Sequence, residues 1–305
     1  MLESNKLRER MQMTKTIGFI GTGVMGSSIV KHLLAADYAV TVYNRTKSKA
    51  DELIQLGAKW ADSPAEVTTK SEIVFTIVGY PQDVEQTYFG EKGIFATATQ
   101  KHILVDMTTS TPTLAQKVYQ EGKERGIEVL DAPVSGGDLG AKNGTLTVMV
   151  GGEESTYKKV ESIFNTFSAK VNLQGGAGSG QHTKMANQIM IAGTMMGMAE
   201  LLAYANAADL DLDKVLDTVG GGSAQNWSLS NYGPRILKED YTAGFFVKHF
   251  IKDLKIALDE SEQMDLDLPS TRLAKQLYEE LALNGFENDG TQAIIKLWWP
   301  EGKRP

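Results

Sequence analysis

The feature that most constrains the fold of this chain is a glycine-rich turn near its N-terminus. Gly21, Gly23 and Gly26 have the spacing G-x-G-x-x-G, after the apolar run 17–20 and before the segment 27–38, whose apolar residues have helical spacing. In such a turn the first glycine allows a tight bend, the second lets backbone approach a pyrophosphate, and the third lets helix and strand pack closely. The turn predicts a dinucleotide site, with helical N–H groups facing the phosphates. A plain glycine turn is the alternative, because 30 glycines produce some such spacings by chance.

Composition and charge exclude several other kinds of site. The net charge of −7 and the lack of a basic patch interleaved with aromatics give no electrostatic reason to expect nucleic acid or an anionic membrane as partner. The chain has no cysteine, which excludes disulfides, thiolate catalysis and cysteine-based metal sites and fits a reducing cytoplasm. The sequence has no uninterrupted run of about 18 strongly apolar residues, so no membrane span is predicted.

The N-terminal stretch MLESNKLRERMQMTK is charged and has no apolar segment of the kind that a secretory signal needs. We therefore interpret it as a short solvated extension. Met11 or Met13 is an equally good natural start, so the sequence leaves open whether residues 1–12 belong to the natural protein.

Short β-type runs alternate with amphipathic helical segments over residues 15–171. Such alternation predicts a parallel, doubly wound sheet with helices on both faces. The strands are expected near residues 16–20, 39–43, 73–78, 103–106, 127–130 and 146–150.

A glycine-rich break over residues 175–180 separates this region from a helical one. The run 181–209 is rich in Met, Ala and Leu and predicts a helix of about 43 Å, long enough to contact two domains. No strand is predicted after Leu173, and Trp298 with Trp299 is expected to pack on the core or at a subunit interface. Further helices are expected near residues 212–219, 224–238, 247–264, 269–284 and 291–299. The fold class is therefore α/β, with a Rossmann-type domain (14–178) followed by an all-helical substrate and oligomerisation domain (179–305).

The end of the second predicted strand indicates which dinucleotide is preferred. NAD-binding versions of this fold carry an acid about 20 residues after the glycine turn, which accepts from the ribose 2′-OH. Here Asn44, Arg45 and Thr46 follow the strand, and the first acid is Asp51. Arg45 is suited to a 2′-phosphate, with the Thr46 hydroxyl and the Lys49 ammonium beside it. NADP(H) is thus favoured over NAD(H); the alternative is a solvated basic turn that only begins a helix.

Hydride transfer to or from a nicotinamide needs a proton donor or acceptor, and Lys184 is the best candidate. It lies on the first turns of the long predicted helix, with Asn187 and Gln188 on the same face at i+3 and i+4. His32 and His102 fall where structural roles are expected, and no spacing typical of metal ligands exists. From these residues alone, an ordinary surface lysine is an equally good interpretation.

Two further clusters follow predicted strands, at the strand ends where ligands bind in open α/β sheets. In the stretch 131–137, DAPVSGG, the Ser135 hydroxyl and the N–H groups of Gly136 and Gly137 are placed to bind a carboxylate as a small anion nest. A serine-glycine turn without a ligand is the alternative. In DMTTSTP, Thr109 is placed to reach the nicotinamide side.

Taken together and in this order, these clusters resemble the β-hydroxyacid dehydrogenase family. The family includes 3-hydroxyisobutyrate dehydrogenase, tartronate semialdehyde reductase and the glyoxylate/succinic semialdehyde reductases, and the last of these branches is the nearest. The resemblance covers Thr16 to about Trp298. The matching pieces are GFIGTGVMG, NRT, DMTTSTP, DAPVSGG, GSGQHTKMANQ and HFIKDLKIALD.

The resemblance implies roles for individual residues. Lys184 matches the catalytic lysine. The substrate-binding residues that it implies are Ser135, Gly136, Gly137, Asn187, Gln188, Phe245 and Asp253. The cofactor-binding residues are Gly21, Thr22, Gly23, Val24, Met25, Gly26, Asn44, Arg45, Thr46, Lys49, Val78, Gly79, Thr109 and Lys252. Some members carry Asn rather than Gln at the position of Gln188, and no metal site is expected.

The predicted function is an NADP(H)-dependent oxidoreductase that interconverts a small hydroxy acid and its semialdehyde or oxo acid. Its expected partners are a small carboxylate-bearing substrate and copies of itself in a homodimer or homotetramer, with no nucleic acid and no membrane. Two alternatives stay open. An imine reductase-like enzyme shares the architecture but typically carries another residue where Lys184 stands, and a non-catalytic cofactor-binding module would keep the fold without turnover.

Overall fold

The computed structural model describes residues 15–299, and the chain divides after Lys184 into two units. Each unit has a hydrophobic core of its own. The predicted solvated extension and the question of the natural start lie outside the described residues.

A nine-stranded sheet forms the centre of the described part of the first unit, in the order β3-β2-β1-β4-β5-β6-β8-β7, with β9 paired to β8. Its first six strands all pair in parallel. Strands β1, β4 and β5 are buried along their whole length, which is why each begins with three apolar residues in the sequence. The strands are β1 (Ile17–Ile20), β2 (Val40–Tyr43), β3 (Lys59–Trp60), β4 (Ile73–Thr76), β5 (Ile103–Asp106), β6 (Glu128–Asp131), β7 (Val134–Ser135), β8 (Leu146–Gly151) and β9 (Ser168–Gly175).

Helices connect these strands, and the predicted Rossmann-type domain is confirmed. Several helices begin with the expected signals: the Ser63 and Thr111 hydroxyls accept backbone N–H bonds at N-caps, each followed by proline at the first helical position. The helices are α1 (Val24–Ala35), α2 (Asp51–Gln55), α3 (Pro64–Thr69), α4 (Pro81–Phe89), α5 (Pro112–Glu124), α6 (Gly137–Asn143) and α7 (Glu154–Phe164).

The sheet differs from the prediction at one edge, where it is mixed rather than parallel. Strand β8 pairs antiparallel with β6 and β7, and β9 then pairs parallel with β8. The short strands β3 and β7 and the whole of β9 are absent from the prediction. In β9, exposed residues such as Lys170 and Asn172 alternate with half-buried Val171, so its sequence lacks the apolar run of a central strand.

The second unit is helical in its described part, as predicted. The long helix α8 (Ser179–Ala207) begins in the first unit and continues into the second. The other helices are α9 (Leu212–Gly220), α10 (Trp227–Leu237), α11 (Val247–Gln263) and α12 (Pro269–Leu281). The last predicted helix is instead a 3₁₀ segment, Thr291–Leu297, and the adjacent Trp299 is buried in the helical core.

The long helix α8 is, among the described residues, the one helix long and apolar enough by length and composition to cross a membrane. Its apolar composition has another explanation, because Met195, Met198, Ala199 and Leu202 on this helix are all buried in the helical core. Such burial is typical of a core helix.

Candidate active site

The glycine turn after β1 combines two tightly packed glycines with one open glycine. Gly21 has a φ of +100°, and a Cβ there would lie 2.0 Å from the Ile77 carbonyl oxygen. A Cβ on Gly26 would lie 1.9 Å from the Gly21 carbonyl oxygen, whereas a Cβ on Gly23 would have no heavy atom within 4 Å. The chain's own packing therefore requires Gly21 and Gly26, and the open side of Gly23 fits the approach of a pyrophosphate.

The side chain of Asn44, which follows β2, hydrogen-bonds to this turn. The Asn44 amide oxygen accepts from Thr22 N at 3.0 Å, and its amide nitrogen donates to the Thr46 carbonyl at 2.9 Å. The Thr22 hydroxyl is buried and has no hydrogen-bond partner in the described part of the chain. A buried hydroxyl beside an open glycine fits a phosphate-bearing ligand, because it supplies a donor that the protein leaves unused. Val24 and Met25 follow at the first turn of α1, the former exposed and the latter half-buried.

The basic turn predicted to contact a 2′-phosphate is exposed, with Arg45, Thr46 and Lys49 all facing solvent. Arg45 Nη1 lies 3.0 Å from Asp83 Oδ1, in an ion pair that the sequence reasoning missed. Asp83 belongs to the first turn of α4, beyond Gly79.

The loop after β5 is connected both to the loop after β4 and to the start of the long helix. The Thr108 hydroxyl accepts from Val78 N at 3.0 Å. The Gln181 side chain, fully buried, accepts from Ser110 N at 3.0 Å and donates to the Thr108 carbonyl at 2.7 Å. Thr109 is the residue between these two contacts, so Gln181 determines where its backbone lies relative to α8.

Lys184 lies beside the loop predicted to bind the substrate carboxylate. Its Nζ donates to the Val134 carbonyl at 2.9 Å, and the side chain is 7% exposed. Ser135 is the next residue, at the end of β7. Gly136 and Gly137 follow with φ of +124° and +63°, so two successive residues have positive φ instead of the alternation typical of an anion nest. The Lys184 ammonium and the loop predicted to bind a carboxylate are thus brought together within the first unit.

Asp131 fixes the start of the helix that carries Lys184. Its two carboxylate oxygens accept from Gly178 N at 2.7 Å and from Gln181 N at 2.9 Å. A Cβ on Gly151 or Gly180 would lie 2.4 or 2.7 Å from the same carboxylate, so these glycines make room for it. Burial raises the pKa of Asp131 above its ordinary value, and the backbone N–H donors offset part of that rise.

In the second unit, four of the predicted site residues form a chain of polar contacts. Asn187 Nδ2 donates to Gln188 Oε1 at 2.8 Å, and Gln188 Nε2 donates to Asp253 Oδ2 at 2.7 Å. The other Asp253 oxygen is 3.0 Å from Lys252 Nζ. Gln188 therefore bridges its neighbour on α8 to a buried carboxylate on α11. Phe245 is half-buried and packs edge-on against Phe250, with ring centroids 5.7 Å apart.

Two of the four histidines, His32 and His102, contact backbone carbonyls. His32 Nε2 lies 3.0 Å from the Ala141 carbonyl, and His102 Nε2 lies 3.0 Å from the Thr68 carbonyl, contacts that are structural. Over residues 15–299 no group of three metal-ligating side chains is found.

Two family models match the chain. One describes the NAD-binding domain of 6-phosphogluconate dehydrogenase and matches residues 16–176. The other describes the NAD-binding domain of NADP-dependent 3-hydroxyisobutyrate dehydrogenase and matches residues 178–298.

Relatives with named activities match nearly the whole chain. A probable 3-hydroxyisobutyrate dehydrogenase-like protein from Arabidopsis thaliana is 50% identical over 92% of this chain and 84% of its own length. The 2-hydroxy-3-oxopropionate reductase of Escherichia coli is 35% identical over 92% of this chain and 96% of its own. The structure of Mycobacterium tuberculosis 3-hydroxyisobutyrate dehydrogenase with L-serine aligns with a TM-score of 0.85 and 26% identity, covering 93% of this chain and 99% of that one. The family models and these relatives agree with the glycine turn: the chain belongs to the β-hydroxyacid dehydrogenase family and is a pyridine-nucleotide-binding oxidoreductase.

Proposed function

We propose that this enzyme prefers NADP(H) and reduces a small aldehyde that carries a carboxylate, or oxidises the corresponding β-hydroxy or hydroxy acid. The observation that carries the proposal is the 2.9 Å contact between Lys184 Nζ and the Val134 carbonyl, which puts the ammonium next to Ser135. An acid and a carboxylate-binding loop at one place are what this reaction needs.

Lys184 is the proton donor in the reductive direction. The bound nucleotide supplies or accepts a hydride at its nicotinamide ring. As the carbonyl carbon gains that hydride, its oxygen becomes an alkoxide, and the Lys184 ammonium stabilises the charge and then donates a proton to give the hydroxyl. In oxidation the same amine takes the hydroxyl proton.

The substrate carboxylate binds at Ser135, Gly136 and Gly137. A Cβ on Gly137 would meet no heavy atom within 4 Å, so a ligand has room on that side. The Ser135 hydroxyl and two backbone N–H groups supply donors for the carboxylate oxygens. Substrate contacts of Asn187 and Gln188, on the next turn of α8, stay predictions. Roles for Phe245, Lys252 and Asp253 stay predictions from the family resemblance.

A substrate panel tests the proposed reaction. We expect NADPH-dependent reduction of at least one of glyoxylate, succinic semialdehyde, methylmalonate semialdehyde and tartronate semialdehyde. Butyraldehyde, which has a methyl group where succinic semialdehyde has its carboxylate, should show a kcat/KM lower by about 100-fold, since a lost charge-assisted contact costs about 2–3 kcal/mol. The readout is nicotinamide absorbance. Equal rates with both aldehydes, or no turnover on the panel, would contradict the proposal.

Arg45 provides the test of cofactor preference. We expect Arg45→Ala to raise the KM for NADPH about 10- to 100-fold and to leave the KM for NADH within about twofold, because only the former presents a phosphate to the guanidinium. Lys47→Ala is the matched control, since Lys47 is an exposed cation in the same turn whose Nζ lies 5.3 Å from the Trp60 ring centroid. If Arg45→Ala raised the KM for NADPH and NADH equally, Arg45 would not be the residue that binds the 2′-phosphate.

We also propose that the chain forms a homodimer or homotetramer. One face of α8 exposes Met190 and Tyr204, at 66% and 77%, with Gly193 and Gly197 between them. Apolar side chains flanking small residues suit close packing against a second helix. A cytoplasmic location stays a prediction from the absence of cysteine.

A further inference from the structure

Two loops on either side of the glycine turn are joined by an ion pair. Arg45 follows β2 and Asp83 lies beyond β4, and both strands pair with β1, whose end leads into the turn. Arg45 Nη1 and Asp83 Oδ1 are 3.0 Å apart. Arg45, the residue proposed to bind the 2′-phosphate, is thus already paired to a carboxylate.

The Asp83 carboxylate is held by a backbone hydrogen bond, whereas most of the Arg45 side chain is exposed to solvent. The second Asp83 oxygen accepts from Tyr80 N at 3.2 Å, in the capping box of α4. The Asp83 side chain is 23% exposed and the Arg45 side chain is 82% exposed. A ligand that draws the guanidinium toward itself therefore leaves the carboxylate where it is.

We propose that Asp83 competes with the 2′-phosphate of NADP(H) for the Arg45 guanidinium and thereby limits how strongly the enzyme discriminates NADP(H) from NAD(H). The inference rests on the proposed role of Arg45. A phosphate that binds this guanidinium must displace the carboxylate or bind within a few ångströms of it, and like charges at that distance repel. NAD(H) presents a neutral hydroxyl there and meets no such opposition.

The test uses binding rather than turnover. We expect Asp83→Asn to tighten the binding of 2′,5′-ADP by about tenfold, because the phosphate then no longer has to displace a carboxylate from the Arg45 guanidinium. Binding of 5′-AMP should stay within about twofold. The asparagine oxygen still accepts from Tyr80 N, so α4 keeps its cap. Isothermal titration calorimetry at low ionic strength measures both dissociation constants.

Glu85→Gln is the matched control. Glu85 lies two residues further on the same helix, and its carboxylate pairs with Lys117 at 2.6 Å instead of with Arg45. If both variants tighten 2′,5′-ADP binding equally, a general charge effect is responsible and the inference is wrong. It is also wrong if Asp83→Asn changes nothing.

The outcome for Asp83 is distinct from the outcome for the proposed cofactor preference. A wild type that binds 2′,5′-ADP no tighter than 5′-AMP contradicts the preference. If Asp83→Asn then binds 2′,5′-ADP more tightly than 5′-AMP, the competition is still supported. In the Arg45→Ala background the effect of Asp83→Asn should shrink to less than about threefold, because the contested cation is gone.

Discussion

Lys184→Met should reduce kcat for aldehyde reduction by about 10³-fold or more, since general acid catalysis contributes about 10²–10⁴-fold and the ammonium also stabilises the alkoxide. Methionine keeps most of the buried stem, so the first turns of α8 should still pack. The nucleotide contacts predicted at the glycine turn and the loop after β2 do not involve Lys184, so the dissociation constant for NADPH should change by less than about threefold. Steady-state kinetics and NADPH fluorescence titration measure the two quantities.

Two further variants make this result specific. Lys142→Met removes an exposed lysine of the same unit, on α6, and should leave kcat within about twofold. Lys184→Arg keeps the positive charge but removes a group that readily exchanges a proton, so it should stay impaired by at least about 100-fold. A Lys184→Met enzyme with a tenth or more of the wild-type kcat would show that another group is the acid.

The parts of the fold that could be predicted depend on short, local sequence signals. Gly21, Gly23 and Gly26 lie within six residues of one another, and the buried strands β1, β4 and β5 each begin with three apolar residues. The edge strand β9 could not be found in this way. Its Lys170 and Asn172 are exposed, so its identity as a strand depends on pairing with β8, a contact that no local pattern encodes.

The contacts that organise the site were less accessible from sequence than the residues themselves. Lys184 was a candidate from its place in the chain, but its partner is the backbone carbonyl of Val134, fifty residues away. Backbone groups are present at every residue and leave no mark in a sequence. The same holds for Gln181, whose side chain binds the backbone of Thr108 and Ser110. The sequence does show a glutamine one helical turn before Lys184, on the same side of the predicted helix. It does not show that this glutamine is buried.

Asp83 was missed for a different reason. Arg45 and Asp83 are far apart in sequence, and they meet because β1 lies between the strands that precede them. The strand order of the doubly wound fold is sufficient to suggest such a meeting, once the acid in the first turn of α4 is considered as well as the basic turn after β2.

Asp131→Asn should destabilise the protein by about 1–3 kcal/mol and lower kcat by about 10- to 100-fold. Asparagine has one acceptor oxygen, so either Gly178 N or Gln181 N faces an NH₂ group instead of a carboxylate. The displaced backbone is the start of α8, one turn before Lys184. Thermal unfolding and steady-state kinetics measure the two effects. Asp37→Asn is the control, since Asp37 is exposed with a φ of +63°, which asparagine also tolerates.

The pH dependence separates the charge of Asp131 from its hydrogen bonds. Because burial raises its pKa, the folded protein binds this proton more tightly than the unfolded chain, whose carboxyl titrates near 3.8. The carboxyl's contribution to stability is therefore fully present below that pH and falls as the pH rises toward the folded pKa. Asparagine does not titrate, so the stability difference between wild type and Asp131→Asn should be largest at acid pH and decrease above it. Denaturant unfolding across this range measures the difference, and an increase with pH would show that the folded-state pKa is lowered instead.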